Sequence, residues 1–146
     1  MIWGLMLQAP PPAAPPGPDC LLPQEKSRLL TETKLDNRVK IYHEASTRCQ
    51  NSLTANLRSQ DPQPAGTQLK SWMSLLESSL EDVKGSTARK DKSRALIRYE
   101  IHLRKAIGNV QELKHKASAD QFDDLEAWLT RAEEIHRKFV DMLFQR

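Results

Sequence analysis

Apolar side chains recur every three or four positions along most of this chain, which is the pattern of amphipathic α-helices. The pattern covers four stretches, at residues 24–60, 67–84, 87–117 and 119–145. Prolines between the first two stretches stop the first helix, because a residue before proline avoids the helical conformation. The sequence therefore predicts an all-α protein, an antiparallel helical bundle of three long helices and one short helix, the short one at 67–84. The predicted domain spans 24–146.

The first predicted helix is the longest, at roughly 50 Å against roughly 27 Å for the helix at 67–84. Its apolar or small side chains form one narrow seam. The seam comprises Leu35, Val39, Tyr42, Ser46, Cys49, Leu53 and Leu57. Because the helices differ in length, we expect part of this seam to stay uncovered and to serve self-association or the packing of another chain.

Large aromatic side chains lie on the seams of the other three helices. We expect four of them to anchor the core: Trp72, Tyr99, Trp128 and Phe139. The third predicted helix also carries Ile97 and Ile101 on a different side from its seam. This second apolar side predicts a central position for that helix, in contact with more than one neighbour.

The first 23 residues have a different composition, since they hold seven of the nine prolines. Such a segment cannot build a packed core, and we predict a disordered proline-rich tail. The two cysteines, Cys20 in that tail and Cys49 in a helix, do not look like a disulfide framework and favour a reduced protein of the cytoplasm or cytoskeleton. Residues 1–8 are apolar but lack the basic residues that begin a signal peptide. The alternative is a secreted protein, in which these residues are the remnant of a signal peptide truncated by a misassigned start codon.

Two segments resemble the first helix of a spectrin repeat, the family of spectrin, dystrophin and nesprins. In the fourth helix an aromatic residue, a leucine and a Trp-Leu pair precede a glutamate, with Trp128 in the pair and Glu133 as the acid. The second helix repeats this arrangement more loosely around Trp72 and Glu77. The resemblance implies three-helix bundles that act as cytoskeletal spacers and docking platforms, with the tryptophans buried.

Charge is unevenly distributed, although the net charge of the whole chain is only +3. Residues 84–116 hold ten basic and three acidic side chains, whereas 119–146 hold four basic and seven acidic ones. Arg94, Arg98 and Lys105 share the side of the third helix opposite its seam. They predict an outward basic strip for an acidic protein surface, with nucleic acid or an acidic membrane as the alternative ligand. No aromatic residues lie among them for base stacking, which disfavours nucleic acid.

Candidate chemistry is sparse. The spacing Glu-x-x-His of di-metal bundles occurs twice, but only His136 of the second pair lies on an apolar arc, so the inward ligand set is incomplete. We therefore expect no metal and no cofactor, and we interpret His136 as a hydrogen-bonded imidazole that faces a helix interface. A further hypothesis is that this ring, in an apolar seam, resists protonation and weakens the bundle or its complex with a partner at low pH. No nucleophile elbow, phosphate loop or Cys-x-x-Cys pair is present.

These observations together predict a non-enzymatic protein-protein interaction module. It would act as a scaffold or cytoskeletal adaptor, through helix packing and the basic strip. The alternative is an electrostatic binder of nucleic acid or acidic membrane through the third helix.

Overall fold

The computed structural model describes residues 20–144. Five α-helices account for most of them, and they are α1 (Pro23–Thr31), α2 (Leu35–Leu57), α3 (Gly66–Gly85), α4 (Arg94–Lys116) and α5 (Ala119–Phe144). One turn of 3-10 helix, Lys90–Lys92, precedes α4, and this described part of the chain contains no strand. The prediction of an all-α protein is confirmed. Residues 1–19 of the predicted tail lie outside the described residues.

Helices α2 to α5 form the bundle, and each packs against two neighbours in the order α2, α3, α5, α4 around the ring. Side-chain hydrogen bonds fix the directions. Arg38 of α2 pairs with Asp82 at the end of α3, whereas Ser46 meets Trp72 nearer its start, so α2 and α3 are antiparallel. Likewise α4 and α5 are antiparallel, while α2 runs parallel to α4 and α3 runs parallel to α5.

Aromatic pairs fill the middle of the bundle. The rings of Trp72 and Trp128 lie 4.3 Å apart, and Tyr99 meets Phe139 edge-on at 5.4 Å. The Tyr99 hydroxyl donates to Ser79 Oγ at 2.7 Å, which satisfies the one polar group that this ring buries. All four residues predicted as core anchors are buried.

The first predicted helix, 24–60, is two helices in the structure. Residues 32–34 are not helical, and the Arg38 guanidinium donates to the carbonyl oxygens of Leu29 and Glu32 at 2.6 Å each. A helix end leaves carbonyl groups unpaired, and here a side chain from the next helix satisfies them. The chain therefore turns back, and α1 lies antiparallel along α2.

This turn changes the predicted helix lengths. The four bundle helices have 23, 20, 23 and 26 residues, and the short helix is α1, with nine. Since the lengths match, the seam of α2 is covered, with Val39, Ser46 and Leu53 almost completely buried. The expectation of an uncovered seam was wrong because it rested on one unbroken first helix.

The expectation of two reduced cysteines was also wrong. Cys20 and Cys49 form a disulfide, with their Cα atoms 6.4 Å apart. Along an unbroken helix, residues 24 and 49 would be about 38 Å apart, whereas the return of α1 along α2 brings the cysteines together. Cys20 and Leu21 are buried, so this part of the predicted tail is packed against the bundle.

Candidate functional site

The outward side of α4 carries the predicted basic strip. Arg94, Arg98 and Lys105 are all exposed, and none of them forms an ion pair with another residue of 20–144. Ser93 begins the helix, because its hydroxyl accepts from the Leu96 backbone N–H at 3.1 Å. The first turn of α4 itself holds no acidic residue, and the nearby Asp36 carboxylate of α2 accepts from the Ser93 hydroxyl at 2.5 Å.

Two isoleucines lie between these cations and the α5 side of the helix. Ile97 is 42% exposed and Ile101 is 37% exposed, so the isoleucine side is not where α4 meets its neighbours, although α4 does contact two helices, α2 and α5, as predicted. Each neighbouring helix meets α4 on other positions, since α2 contacts His102 and α5 contacts Glu100. The exposed face of α4 therefore combines an aliphatic pair with unpaired positive charge, and we call Arg94, Ile97, Arg98, Ile101 and Lys105 the α4 face.

A groove runs beside the α4 face, between α4 and α2. Its volume is about 900 Å³. The lining includes Lys40, His43, Thr47, Asn51 and Ala55 from α2, with Ala95 and Arg98 from α4. Most of these side chains are small or short, and the full lining holds three cations, Lys40, Arg48 and Arg98, and one acid, Glu44. The groove and the α4 face meet at Arg98, so they form one continuous surface.

A cluster of ring side chains lies beneath this groove. The His43 and His102 rings are 4.6 Å apart, and His102 Nε2 lies 2.7 Å from Ser46 Oγ. That hydroxyl oxygen also accepts from the Trp72 indole N–H at 2.8 Å. The cluster thus joins α2, α3 and α4 through one serine.

Burial disfavours the charged form of both rings. Desolvation, reinforced by the nearby His43, lowers the pKa of His102 to about 4. Desolvation also lowers the pKa of His43, and Glu44 and Arg98 act on it with opposite signs. Sequence reasoning missed this pair, because only the polar Ser46 on an apolar seam hinted at a buried polar contact.

His136 lies at the interface of α4 and α5. Its Nε2 atom is 2.7 Å from Glu100 Oε2, so the ring is hydrogen-bonded to the neighbouring helix as interpreted, but it faces a carboxylate and not the apolar surrounding that the pH hypothesis assumed. Burial raises the pKa of Glu100, but hydrogen bonds from Arg104 and His136 outweigh it and hold that pKa below its ordinary value. A role for His136 in acid sensitivity stays a prediction.

Other chemistry finds little support in the described residues. No group of three or more His, Cys, Asp or Glu side chains within residues 20–144 is arranged to hold a metal ion. Over the same residues, the helices are all too short or too polar to cross a bilayer. In comparisons with known proteins, no family model, curated protein or solved structure matches this chain.

Proposed function

We propose that this chain is a non-enzymatic protein-binding module that docks acidic protein surfaces through the α4 face. The observation that carries the proposal is the grouping of three unpaired cations, Arg94, Arg98 and Lys105, around the exposed Ile97 and Ile101. Exposed aliphatic side chains beside like charges suit a partner that offers apolar side chains and carboxylates together.

The composition of this surface favours protein over nucleic acid. Base stacking needs exposed rings, and the exposed aromatic residues of the described chain, Phe122 and Phe144, lie on α5 and not on the α4 face. Ile97 and Ile101 would gain no free energy against a phosphate backbone, because phosphate offers no apolar surface to bury them. Binding of nucleic acid or acidic membrane through α4 is therefore the second candidate.

The disulfide bears on where the module acts. Disulfides persist in oxidising compartments and are rare in the cytosol, so Cys20–Cys49 favours the secreted alternative over a cytoplasmic or cytoskeletal location. We accordingly propose a scaffold or adaptor role among extracellular proteins. The spectrin-like segments would then contribute rigidity, because their tryptophans, Trp72 and Trp128, pack against each other in the core at a tilt of 34°.

Charge reversal on the α4 face tests this proposal. The full-length oxidised chain would be presented to intact cells and secreted proteins, cross-linked, and its captured partners identified by mass spectrometry. We expect R94E/R98E/K105E to lose partners that the wild type captures. R28E/K34E/K84E, which reverses three exposed cations elsewhere, should keep them.

Salt and nuclease treatment separate the two candidates. A protein complex with an apolar centre should persist in nuclease and weaken moderately between 50 and 500 mM NaCl, whereas phosphate binding falls steeply with salt. The proposal is refuted if both triple variants capture the same proteins as the wild type, or if nuclease removes the capture.

A further inference from the structure

We propose that the partner presents an acidic amphipathic α-helix, and that this helix lies in the groove between α2 and α4. The inference rests on the protein-docking function proposed above and names the element that docks. It follows from the shape of the groove, its charge and the all-helical surroundings.

The α2 wall of the groove has the length of a short helix, while α4 lines the groove at one end, with Ala95 and Arg98. The α2 wall from Lys40 to Ala55 spans 15 residue steps, about 22 Å, which matches about four turns of a partner helix. The wall residues follow one another at helical spacing, and Thr47, Asn51 and Ala55 are short enough to leave about 900 Å³ open above them. Side-chain ridges of one helix pack into such a groove on another.

The charge around the groove selects an acidic occupant. Lys40 and Arg98 lie on opposite walls, and Lys105 continues the positive charge along α4. Glu44 is the one acid among the groove's lining residues, while Arg48 is neutralised by Glu25 at 2.6 Å. A helix with carboxylates on both flanks would meet unpaired cations on both walls.

The apolar surface selects an amphipathic helix over a uniformly acidic one. Ala55 and Ala95 form apolar parts of the groove's lining, and Ile97 and Ile101 lie on the outer side of α4, beyond the row of cations that borders the groove. An extended peptide is disfavoured, because residues 20–144 offer no sheet edge to pair with its backbone. A helix satisfies its own backbone groups and needs none from the groove.

A second copy of this chain fits less well. Its α5 helix is acidic on the outside, with Asp123, Glu134 and Asp141 exposed. The apolar side of α5 is buried in its own bundle, as Trp128 and Phe139 show. A second copy thus offers carboxylates without a free apolar stripe to lie against Ala55 and Ala95.

Selection from an unbiased library tests the inference. A display library of random 21-residue peptides would be panned on the full-length oxidised chain at 150 mM NaCl. We expect enriched peptides to carry net negative charge and apolar residues spaced three and four apart, and to become helical on binding. T47W/A55W fills the groove without changing charge, and should weaken these peptides at least tenfold.

Controls keep a failure to fold from being mistaken for a lost site. S78W/T130W adds two tryptophans at exposed positions on other helices and should bind as the wild type does. Circular dichroism and thermal melting would verify each variant, and the single variant A55W replaces T47W/A55W if the double one is misfolded.

The outcomes separate this inference from the proposed function. If the peptides keep their affinity for T47W/A55W but lose it for R94E/R98E/K105E, docking on α4 stands and the groove is not the site. If both variants bind the peptides as the wild type does, both proposals fail. If no acidic helical peptide is enriched, the proposal that an acidic helix occupies the groove is refuted. If sedimentation shows a dimer that T47W/A55W dissociates, the occupant is a second copy of this chain, and the proposal is also refuted.

Discussion

The buried His102 ring should make this bundle sensitive to acid. In the folded chain its pKa is lowered to about 4 by burial and by His43, against 6.5 for an ordinary histidine. Below about pH 6.5 the His102 imidazole is therefore protonated in the unfolded chain but stays neutral in the folded chain until the pH approaches 4. Stability conferred by the neutral ring is fully present above that pH and is lost progressively as the pH falls toward 4.

The size of the effect follows from the two pKa values. Each pKa unit corresponds to about 1.4 kcal/mol, so the free energy of unfolding should fall by roughly 3 kcal/mol from this residue between pH 7 and pH 4. The hydrogen bond between His102 and Ser46 shows why protonation of the folded chain is unfavourable. A protonated His102 must donate to Ser46 Oγ, which already accepts from Trp72, so the serine hydroxyl would need a new acceptor.

Urea unfolding at pH 7 and pH 4, followed by circular dichroism, measures this loss. Compared with the wild type, H102Q should lose roughly 3 kcal/mol less on acidification, because glutamine does not titrate and retains a polar end near Ser46. H115Q, at an exposed histidine of the same helix, should behave as the wild type. If H102Q loses as much stability as the wild type, His102 is not the source and the reasoning is refuted.

Three further changes test the packing. C20S/C49S opens a loop of 29 residues and should lower the free energy of unfolding by about 3 to 4 kcal/mol in urea, an effect that vanishes if the wild type is compared in reductant. F139A removes a fully buried ring, and a loss of about 3 to 5 kcal/mol is expected by the same assay; a loss below about 1 kcal/mol would contradict the described core. D82A leaves Arg38 and Tyr42 without their shared acceptor and should cost about 2 kcal/mol, whereas E81A, at an exposed neighbour, should cost far less.

The spacing of apolar residues was enough to predict an all-α fold and its aromatic core, but not every helix boundary. The third helix was expected to begin at residue 87, whereas α4 begins at Arg94, where Ser93 caps it, and one 3-10 turn precedes it. The pattern identified the four core aromatics, because the seam of a long amphipathic helix faces the core and large rings on it are buried there. These are Trp72, Tyr99, Trp128 and Phe139. The α4 cations were identified in the same way, as the side opposite the seam.

The break between α1 and α2 carries no such signal. Neither proline nor glycine occurs at 32–34, and the turn depends on Arg38 reaching back to two carbonyl groups and on the disulfide. Missing that turn led to the wrong assignment of the cysteines and of the α2 seam. The contacts between His43 and His102, and between Glu100 and His136, depend on how neighbouring helices are aligned along their axes, which periodicity does not specify.

Photo-cross-linking from the α4 face tests the central claim most directly. A photoreactive benzoylphenylalanine would replace Ile101 in the full-length oxidised chain, with the same substitution at Thr130 of α5 as the matched control. We predict that the Ile101 position forms adducts with acidic proteins and that R94E/R98E/K105E in the same chain abolishes them. Equal adducts from both positions, or adducts that survive the charge reversal, would contradict docking through α4.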